Sequence, residues 1–580
     1  MIEDKRHLFI CAIGPVQDFI ATARTSQDLW FGSWLLSELS KAAALVAFDN
    51  SHQLIFPAPE RREDLEAGTI LSVANKIVAI VEGDPKMIAD GIWQKVQERL
   101  ENLRQETLTK IETEQIDYQL AKDQINDLVE FYWVSVPYKS PQDYRLVRTR
   151  AEALLAARKN TRNFQQIEGQ QGTPKSSLDG FRESVLSDDV KTIGEEAFYE
   201  AYHAAKGEAL SGIDLLKRWG EIRARRFQST TDLAAQPFLL MLGDQKRKAL
   251  FARIKHLLAA YTQLPETEGT HFYVERLVQL ISSKEKQNAF KQEFAQIFKE
   301  EGIQQSPSPY YALLLADGDN MGKTIDAQDS PEKHQALSRK LSAFAQEVKS
   351  TIEEDFNGVP IYVGGDDVLA YLPLHTALEC VIALNKQFKQ AMQGFEYVNE
   401  KGTHSPTLSG ALVIAHHLTP LSDVLDMARQ AEKEAKGLPR KNGLVIVSSK
   451  RGGTERTVRA RMSDLVKRME ILVGYVRQKQ ISGGAAYELQ KLYQELRDAE
   501  WANAVSRKEA IRIIQRKREA GSEKGVEKEV QQQFKAWLEE SAYEEIPLTL
   551  DELAQEMIIA GEFAGAYDMA FGAIKREVQA

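Results

Sequence analysis

The segment Tyr362–Leu374, YVGGDDVLAYLPL, constrains this chain more than any other, because it predicts a β-hairpin whose tip carries two adjacent carboxylates. Tyr362 and Val363 form one arm and Val368 to Leu372 the other, while Gly364 and Gly365 supply the positive φ that a tight reversal needs. Asp366 and Asp367 therefore sit at the turn. Two like charges side by side on an apolar hairpin cost stability unless a cation compensates them, and carboxylate oxygens are the ligands that Mg²⁺ or Mn²⁺ prefers. A solvated turn is the competing reading, since Gly and Asp are ordinary turn residues.

A second segment, Tyr310–Asp326, is an apolar run that ends in Asp317 and Asp319 and passes into a helical pattern. It predicts a buried strand that delivers a carboxylate at its C-terminal end, with the backbone N–H groups of Asn320, Met321 and Gly322 free to cradle phosphate. A strand-end Asp beside a hairpin Asp pair resembles the metal site of palm-type nucleotidyl transferases, where two cations clamp a triphosphate. A third segment, Met427–Gly443, is an amphipathic helix that ends in Lys436 and is followed by Arg440, Lys441 and Asn442. Cations there suit a polyphosphate tail; a solvated helix end with favourable dipole charges is the alternative.

Together these pieces resemble the GGDEF and nucleotidyl-cyclase palm and, more narrowly, the Cas-ten family of large subunits of type III CRISPR effector complexes in its Cmr (III-B) form. The likeness reaches the amino terminus, where a strand is followed by Gly14-Pro15-Val16-Gln17, then Ala23-Arg24, then Asp28-Leu29-Trp30. Ala74–Val81 resembles the family's N-K/R strand, Phe131–Tyr138 its later aromatic strand, and Glu208–Gly220 its L-C-x-x-x-L-K-R stretch. The resemblance implies a target-RNA-activated nucleotidyl cyclase that converts ATP to a signalling nucleotide for antiviral defence, a cyclic oligoadenylate or a related adenylate adduct. It implies that Asp317, Asp366 and Asp367 are catalytic and hold two Mg²⁺ or Mn²⁺ ions, and that Gly364 and Gly365 admit the triphosphate. Asn320, Met321, Gly322, Lys323, Lys436 and Arg440 would bind the nucleotide. The implied partners are other Cmr-type subunits, guide RNA and target RNA, with no membrane. A template-directed palm polymerase and an inert scaffold subunit are the competing functions.

The departures from that family carry expectations of their own. The chain begins at the G-P-V-Q region and contains no His-Asp dipeptide, so an HD nuclease activity is not expected. Pro174–Ser184 aligns with a K-C-x-x-C-G zinc knuckle, yet Ser176 and Asp179 stand at the cysteine positions, and Ser211 replaces a cysteine further on. With Cys11 and Cys380 as the two cysteines, a cysteine zinc site cannot be built, and both read as core residues of a reducing cytoplasm.

The expected fold class is α+β and multidomain, with two ferredoxin-like palms of the cyclase type plus helical domains. The 580 residues divide into a degenerate palm at 1–160, a helical middle domain at 161–305, the active palm at 306–450 and a helical bundle at 451–580. One long helix is expected over 86–128, a mobile loop at Gly169–Ser177, and helix breaks at Gly483 and Gly484, around Gly521–Gly525 and at Pro547. No apolar run approaches a membrane span, so a cytoplasmic location is expected. The net charge of −10 argues against an autonomous nucleic-acid binder, although the basic segment Ser506–Gly521 offers a local patch.

Overall fold

The computed structural model describes residues 6–111, 115–161, 172–220, 228–262, 268–400, 402–496, 502–517, 526–540 and 548–572. The chain opens with β1 (Arg6–Gly14), α1 (Gln17–Ala21), α2 (Ser26–Asn50), β2 (Ser51–Phe56), β3 (Lys76–Glu82), α3 (Pro85–Leu108), α4 (Tyr118–Asn126), β4 (Glu130–Pro137) and α5 (Tyr144–Lys159). The four strands pair in the order β2-β3-β1-β4, all antiparallel, which is the βαββαβ arrangement of a ferredoxin-like sheet. The apolar run of β1 serves two cores through the two-residue period of a strand. Phe9, Cys11 and Ile13 pack with α2 and α3, whereas Leu8, Ile10 and Ala12 face Tyr144, Ala151 and Leu155 of α5. The helix expected over 86–128 is two helices, because Asp117 starts α4 afresh by accepting a hydrogen bond from the Leu120 backbone.

Residues 161–305 are not a separate helical domain. Helices α6 (Glu195–Tyr202) and α7 (Gly212–Trp219) join the first core through Phe198, Tyr202, Ile213 and Leu216. A helix of two turns is not stable alone and must bury its apolar face on a neighbour. At the contact a Cβ on Gly212 would fall 2.6 Å from the Ala121 carbonyl oxygen, so only glycine lets α7 reach α4. Beyond it, α8 (Thr230–Ala259, bent at Gly243), α9 (Val274–Leu277) and α10 (Lys284–Glu300) enclose their own core around Phe238, Phe290, Phe294 and Phe298.

The motifs scattered over the first 220 residues meet around α7. The buried Lys217 ammonium donates to the Phe19 and Thr22 carbonyls, each at 2.5 Å, and burial lowers its pKa to about 8. Arg218 pairs with buried Asp28 at 2.9 Å, and Asp28 in turn accepts from the backbone N–H groups of Arg24 and Thr25. The Arg24 guanidinium reaches the Ser177 carbonyl and Glu208. Residues standing at the knuckle's cysteine positions are held the same way. Ser176 donates to Asp214 at 2.7 Å, Ser211 caps α7, and Asp179 pairs with Arg182. The loop expected to be mobile is therefore anchored at buried Ser176; its residues 169–171 lie outside the described ones.

The second sheet is built from β5 (Tyr310–Asp319), β6 (Val359–Gly364), β7 (Asp367–Leu372), β10 (Thr407–His416), β11 (Gly443–Ser449) and β12 (Arg456–Arg461), in the order β12-β11-β10-β5-β7-β6. Its β10-β5-β7-β6 part repeats the first sheet's order, with α11 (Met321–Asp326), α12 (Pro331–Ser350) and α13 (Ala377–Ala391) as connections. A small hairpin, β8 (Tyr397–Asn399) and β9 (Gly402–His404), precedes β10, and α14 (Leu421–Gly437) crosses over to make β11 parallel to β10. Strand β12 lies past residue 450, inside the segment expected to be all helical. Its alternating Thr457, Val458, Arg459, Ala460 pattern is short and half polar, which suits an edge strand and hides it among helical signals.

Helices α15 (Met462–Arg477), α16 (Gly483–Leu496), α17 (Ala502–Arg516), α18 (Lys528–Glu540) and α19 (Leu550–Phe571) follow. They share one core with α12, α13 and one face of the sheet rather than forming a bundle of their own. The break before Gly483 is present, while those expected around Gly521–Gly525 and at Pro547 lie outside the described residues. In the basic segment, Ile513 and Ile514 are buried and Arg516 and Lys517 pair with Glu488; residues 518–521 lie outside the described ones. Cys11 and Cys380 are buried, and desolvation pushes both thiols up.

Several side chains tie the two palms together, among them the fully buried Arg148. Arg148 of α5 has no exposed side-chain surface and donates to the Ile325 carbonyl at 2.7 Å and to the Gln328 carbonyl, while pairing with Asp326 at 3.1 Å. It stacks over Tyr144, whose hydroxyl hydrogen-bonds His334 at 2.7 Å, and the Ala58 N–H donates to Ser338. Arg148→Met should lower stability by about 2–3 kcal/mol by stranding two carbonyls, and Arg148→Lys should recover part of it, as read from urea unfolding curves.

Candidate active site

The β6–β7 hairpin pairs Gly364 with Asp367, so Gly365 and Asp366 are the two-residue loop. Gly365 has φ 67° and satisfies the positive φ that such a turn demands at its first central position. Gly364 is not left-handed, contrary to the sequence expectation. It is glycine because a Cβ there would fall 2.6 Å from the Tyr362 hydroxyl, which crosses beneath it.

Strand β7 runs beside β5 up to the pair Ala316–Val368, so Asp317 and Asp367 are the next residues outward on adjacent strands. The hairpin tip rests on β5 itself. A Cβ on Gly318 would lie 2.7 Å from Asp366 Oδ2, and no other residue leaves the space. Desolvation raises the pKa of Asp366 and Asp367 well above the ordinary carboxylate range, with mutual repulsion and the Glu432 charge adding to it at Asp367. The three carboxylates singled out in the sequence thus stand together at two neighbouring strand ends.

Lys436, in the last turn of α14, is not free for a polyphosphate. It is ion-paired to Asp317 and, at 2.6 Å, to Glu432. Burial lowers its pKa and raises that of Glu432. Arg440, Lys441 and Asn442 all adopt left-handed φ, between 52° and 60°, a strained run for non-glycine residues. It is held by Asn442 N–H donating to Asp319 Oδ2 at 3.0 Å and Gly443 N–H donating to Ser409 Oγ at 3.0 Å. Arg440 is exposed at its start.

Asn320 is also left-handed and turns the chain from β5 into α11, leaving the first-turn N–H groups of Met321, Gly322 and Lys323 without intrahelical partners. Gly322 and Lys323 are exposed, and space is open around Gly322. The Asn320 amide donates to Tyr397 at 2.9 Å and Lys323 lies 5.8 Å from that ring, so the small β8–β9 hairpin buttresses the turn. Glu432 and Tyr397 are the residues that the sequence reading passed over, and Asp319 was given no role of its own. Asp319 was visible as the second Asp of the strand end. The partner of Tyr397, Asn320, lies 77 residues away, beyond any local pattern, whereas Glu432 pairs with Lys436 one helical turn on.

Among the described residues, no group of three or more His, Cys, Asp or Glu side chains is closed around a metal position; Asp317 is turned to Lys436 instead. In its chemistry the donor set still fits a hard divalent cation. Three carboxylates share one edge, and the crowding that raises Asp366 and Asp367 is what such an ion relieves.

Two family descriptions match this chain. "Cas10/Cmr2, second palm domain" covers residues 310–445, the sheet that carries these carboxylates, and "CRISPR-associated protein Cmr2, N-terminal" covers residues 8–105. Both stretches are thus similar to the Cas10/Cmr2 family. The CRISPR system Cmr subunit Cmr2 of Pyrococcus furiosus is 24% identical over 544 residues, which cover 76% of this chain and 61% of that protein. The chain thus spans about three fifths of the length of that curated relative. Among solved structures, a chain of type III-B Cmr-beta in the apo state aligns with TM-score 0.66 at 14% identity, over 97% of this chain and 82% of that one. A chain of Cmr-beta bound to cognate target RNA aligns with TM-score 0.59 at 13% identity, over 97% and 83%. These likenesses establish the shared multidomain fold. No described helix of the chain is long and apolar enough to cross a membrane.

A carboxylate whose pKa is raised by folding binds its proton more tightly in the folded chain than in the unfolded one. The metal-free fold therefore loses stability as pH rises from about 4 to about 7. Mg²⁺ or Mn²⁺ should raise the melting temperature at about pH 8 and do little at about pH 5, where protons occupy the pair. Scanning fluorimetry of the Asp366→Asn/Asp367→Asn variant should show neither effect; an undiminished cation shift in that variant would place the ion elsewhere.

Proposed function

We propose that this chain is the large subunit of a type III-B CRISPR effector complex and that its second palm is a target-RNA-activated nucleotidyl cyclase. The observation that carries the reading is the seating of Asp366 on Gly318 beside Asp317 and Asp367, within the palm that matches the family. ATP is the substrate, and the product is a cyclic oligoadenylate or a related adenylate adduct. The partners are other Cmr-type subunits, guide RNA and target RNA, in the cytoplasm.

Each residue has a physical task. Asp317, Asp366 and Asp367 would hold two Mg²⁺ or Mn²⁺ ions, which supply activation of the attacking ribose hydroxyl and neutralisation of the leaving pyrophosphate. The N–H groups of Met321, Gly322 and Lys323 receive the phosphates, and the exposed Lys323 and Arg440 counter their charge. Gly365 keeps the tip narrow enough for the triphosphate to approach. Lys436 orients Asp317 by its ion pair and would be available to the phosphates where Asp317 served as a cation ligand.

A template-directed polymerase would use the same carboxylates, and stimulation of incorporation by primer and template would favour it. An inert scaffold would make no product at all. The Asp366→Ala/Asp367→Ala complex should yield less than about 1% of wild-type product from ATP with target RNA present, while its subunit composition stays unchanged on gel filtration. Its melting temperature should be equal or higher, since the substitution removes a repulsion. Wild-type yield from that variant would end the cyclase reading.

A further inference from the structure

We infer that a groove between α13 and α15 binds the ribose-phosphate backbone of single-stranded RNA. The groove has a volume of about 490 Å³ and is lined by Lys386 and Lys389 from α13 and by Lys467 from α15, with Glu470 at one end. Three lysines against one glutamate make a net charge of +2 at this place, in a chain whose total is −10. Among the described residues the three lysines have no ionic or hydrogen-bonding partner, although acidic side chains outnumber basic ones in the chain as a whole.

Lys389, in the last turn of α13, is explained well enough by the helix dipole. Asn385 is not. Its side chain lines the same groove, is only 7% exposed, and its Oδ1 is buried without a hydrogen-bond partner. A stranded buried acceptor is costly, and a ligand that donates a hydroxyl while presenting phosphates to the lysines removes the cost. A ribose-phosphate chain has that combination, because its 2′-hydroxyl is a donor that DNA lacks. No aromatic side chain lines the groove, so nothing there stacks a base. That favours a strand held by its backbone, without sequence preference, over a free nucleotide.

The groove is separate from the carboxylates. Leu408, Leu412 and Ile414 of β10 pack toward α13 and α15, whereas Ala411, Val413 and Ala415 pack toward α14, which carries Lys436. The two sites therefore lie on opposite faces of one sheet, and this inference does not depend on the cyclase reading.

Fluorescence anisotropy of a labelled short oligouridylate with the full chain tests it. Binding should be weak and should fall with salt between about 50 and 200 mM with a logarithmic slope of roughly −2, three contacts at about −0.7 each. Lys386→Glu/Lys389→Glu/Lys467→Glu should weaken it roughly tenfold or more. The same charge change on α10, Lys284→Glu/Lys286→Glu/Lys299→Glu, should leave it within about twofold. The matching oligodeoxyuridylate should bind less well than the RNA, and Asn385→Leu should erase that difference. AMP should not compete. Equal losses from the two lysine triples, an AMP-displaceable complex, or equal RNA and DNA affinity in the wild type would overturn the proposal. The lysine triple, being exposed, keeps the test valid even if Asn385→Leu folds poorly.

Discussion

One carboxylate with no exposed surface holds the candidate site in shape. Asp319 Oδ2 accepts from Thr407 and Ser409 of β10, each at 2.7 Å, and from the Asn442 backbone at 3.0 Å. A hydrogen bond to a charged acceptor contributes about 1.5–3 kcal/mol, so the one from Asn442 N–H offsets part of the roughly 1–2 kcal/mol that each of the three consecutive left-handed residues costs. Through that strained turn the C-terminal end of α14 is fixed against β5, and with it Lys436 against Asp317. Remove Asp319 and the strand end, the turn and the lysine lose their common reference.

The first palm supplies a second fixed point. Its four strands follow the same order as β10-β5-β7-β6 of the second sheet, but its described strand ends carry no counterpart of the hairpin carboxylates. What it carries instead is Arg148, which caps the C-terminal end of α11 at Ile325 and Gln328. The other end of that short helix bears the N–H groups of Met321, Gly322 and Lys323. A six-residue helix gripped at one end by a neighbouring domain and at the other by Asn320 on Tyr397 has little freedom to drift. The inert-looking palm is thus a wall against which the phosphate-facing turn is set.

Much of this was legible in the sequence where the pattern was local. The hairpin, the strand ending at Asp317 and the five palm strands follow from apolar runs, glycines and adjacent carboxylates, and the structure has all of them. Legibility ended where a side chain's meaning depends on a distant partner. Gly364 looked like a turn glycine, but the Tyr362 ring makes it one of close approach. Lys436 looked like a phosphate clamp until Asp317 and Glu432 were seen on either side of it. The boundaries at 160 and 450 failed for a related reason. Short α7 and edge strand β12 take their stability from cores begun elsewhere, and neither has enough apolar periodicity to announce its allegiance.

The convergence of Lys217, Arg218, Asp28 and Arg24 shows why the resemblance could be carried by motifs two hundred residues apart. Lys217 ends on two carbonyls of the segment that follows Gly14-Pro15-Val16-Gln17, and Arg218 ends on the Asp of Asp28-Leu29-Trp30. A buried ammonium or guanidinium is tolerated only when such partners are in place, and breaking one leaves the other charge stranded at a cost of about 3–5 kcal/mol. Each motif is therefore a constraint on the others. The same argument explains the knuckle without cysteines. Ser176 on Asp214, and Asp179 on Arg182, tie the loop to α7 by hydrogen bonds and an ion pair, so this corner of the first core closes with ligands the chain itself provides.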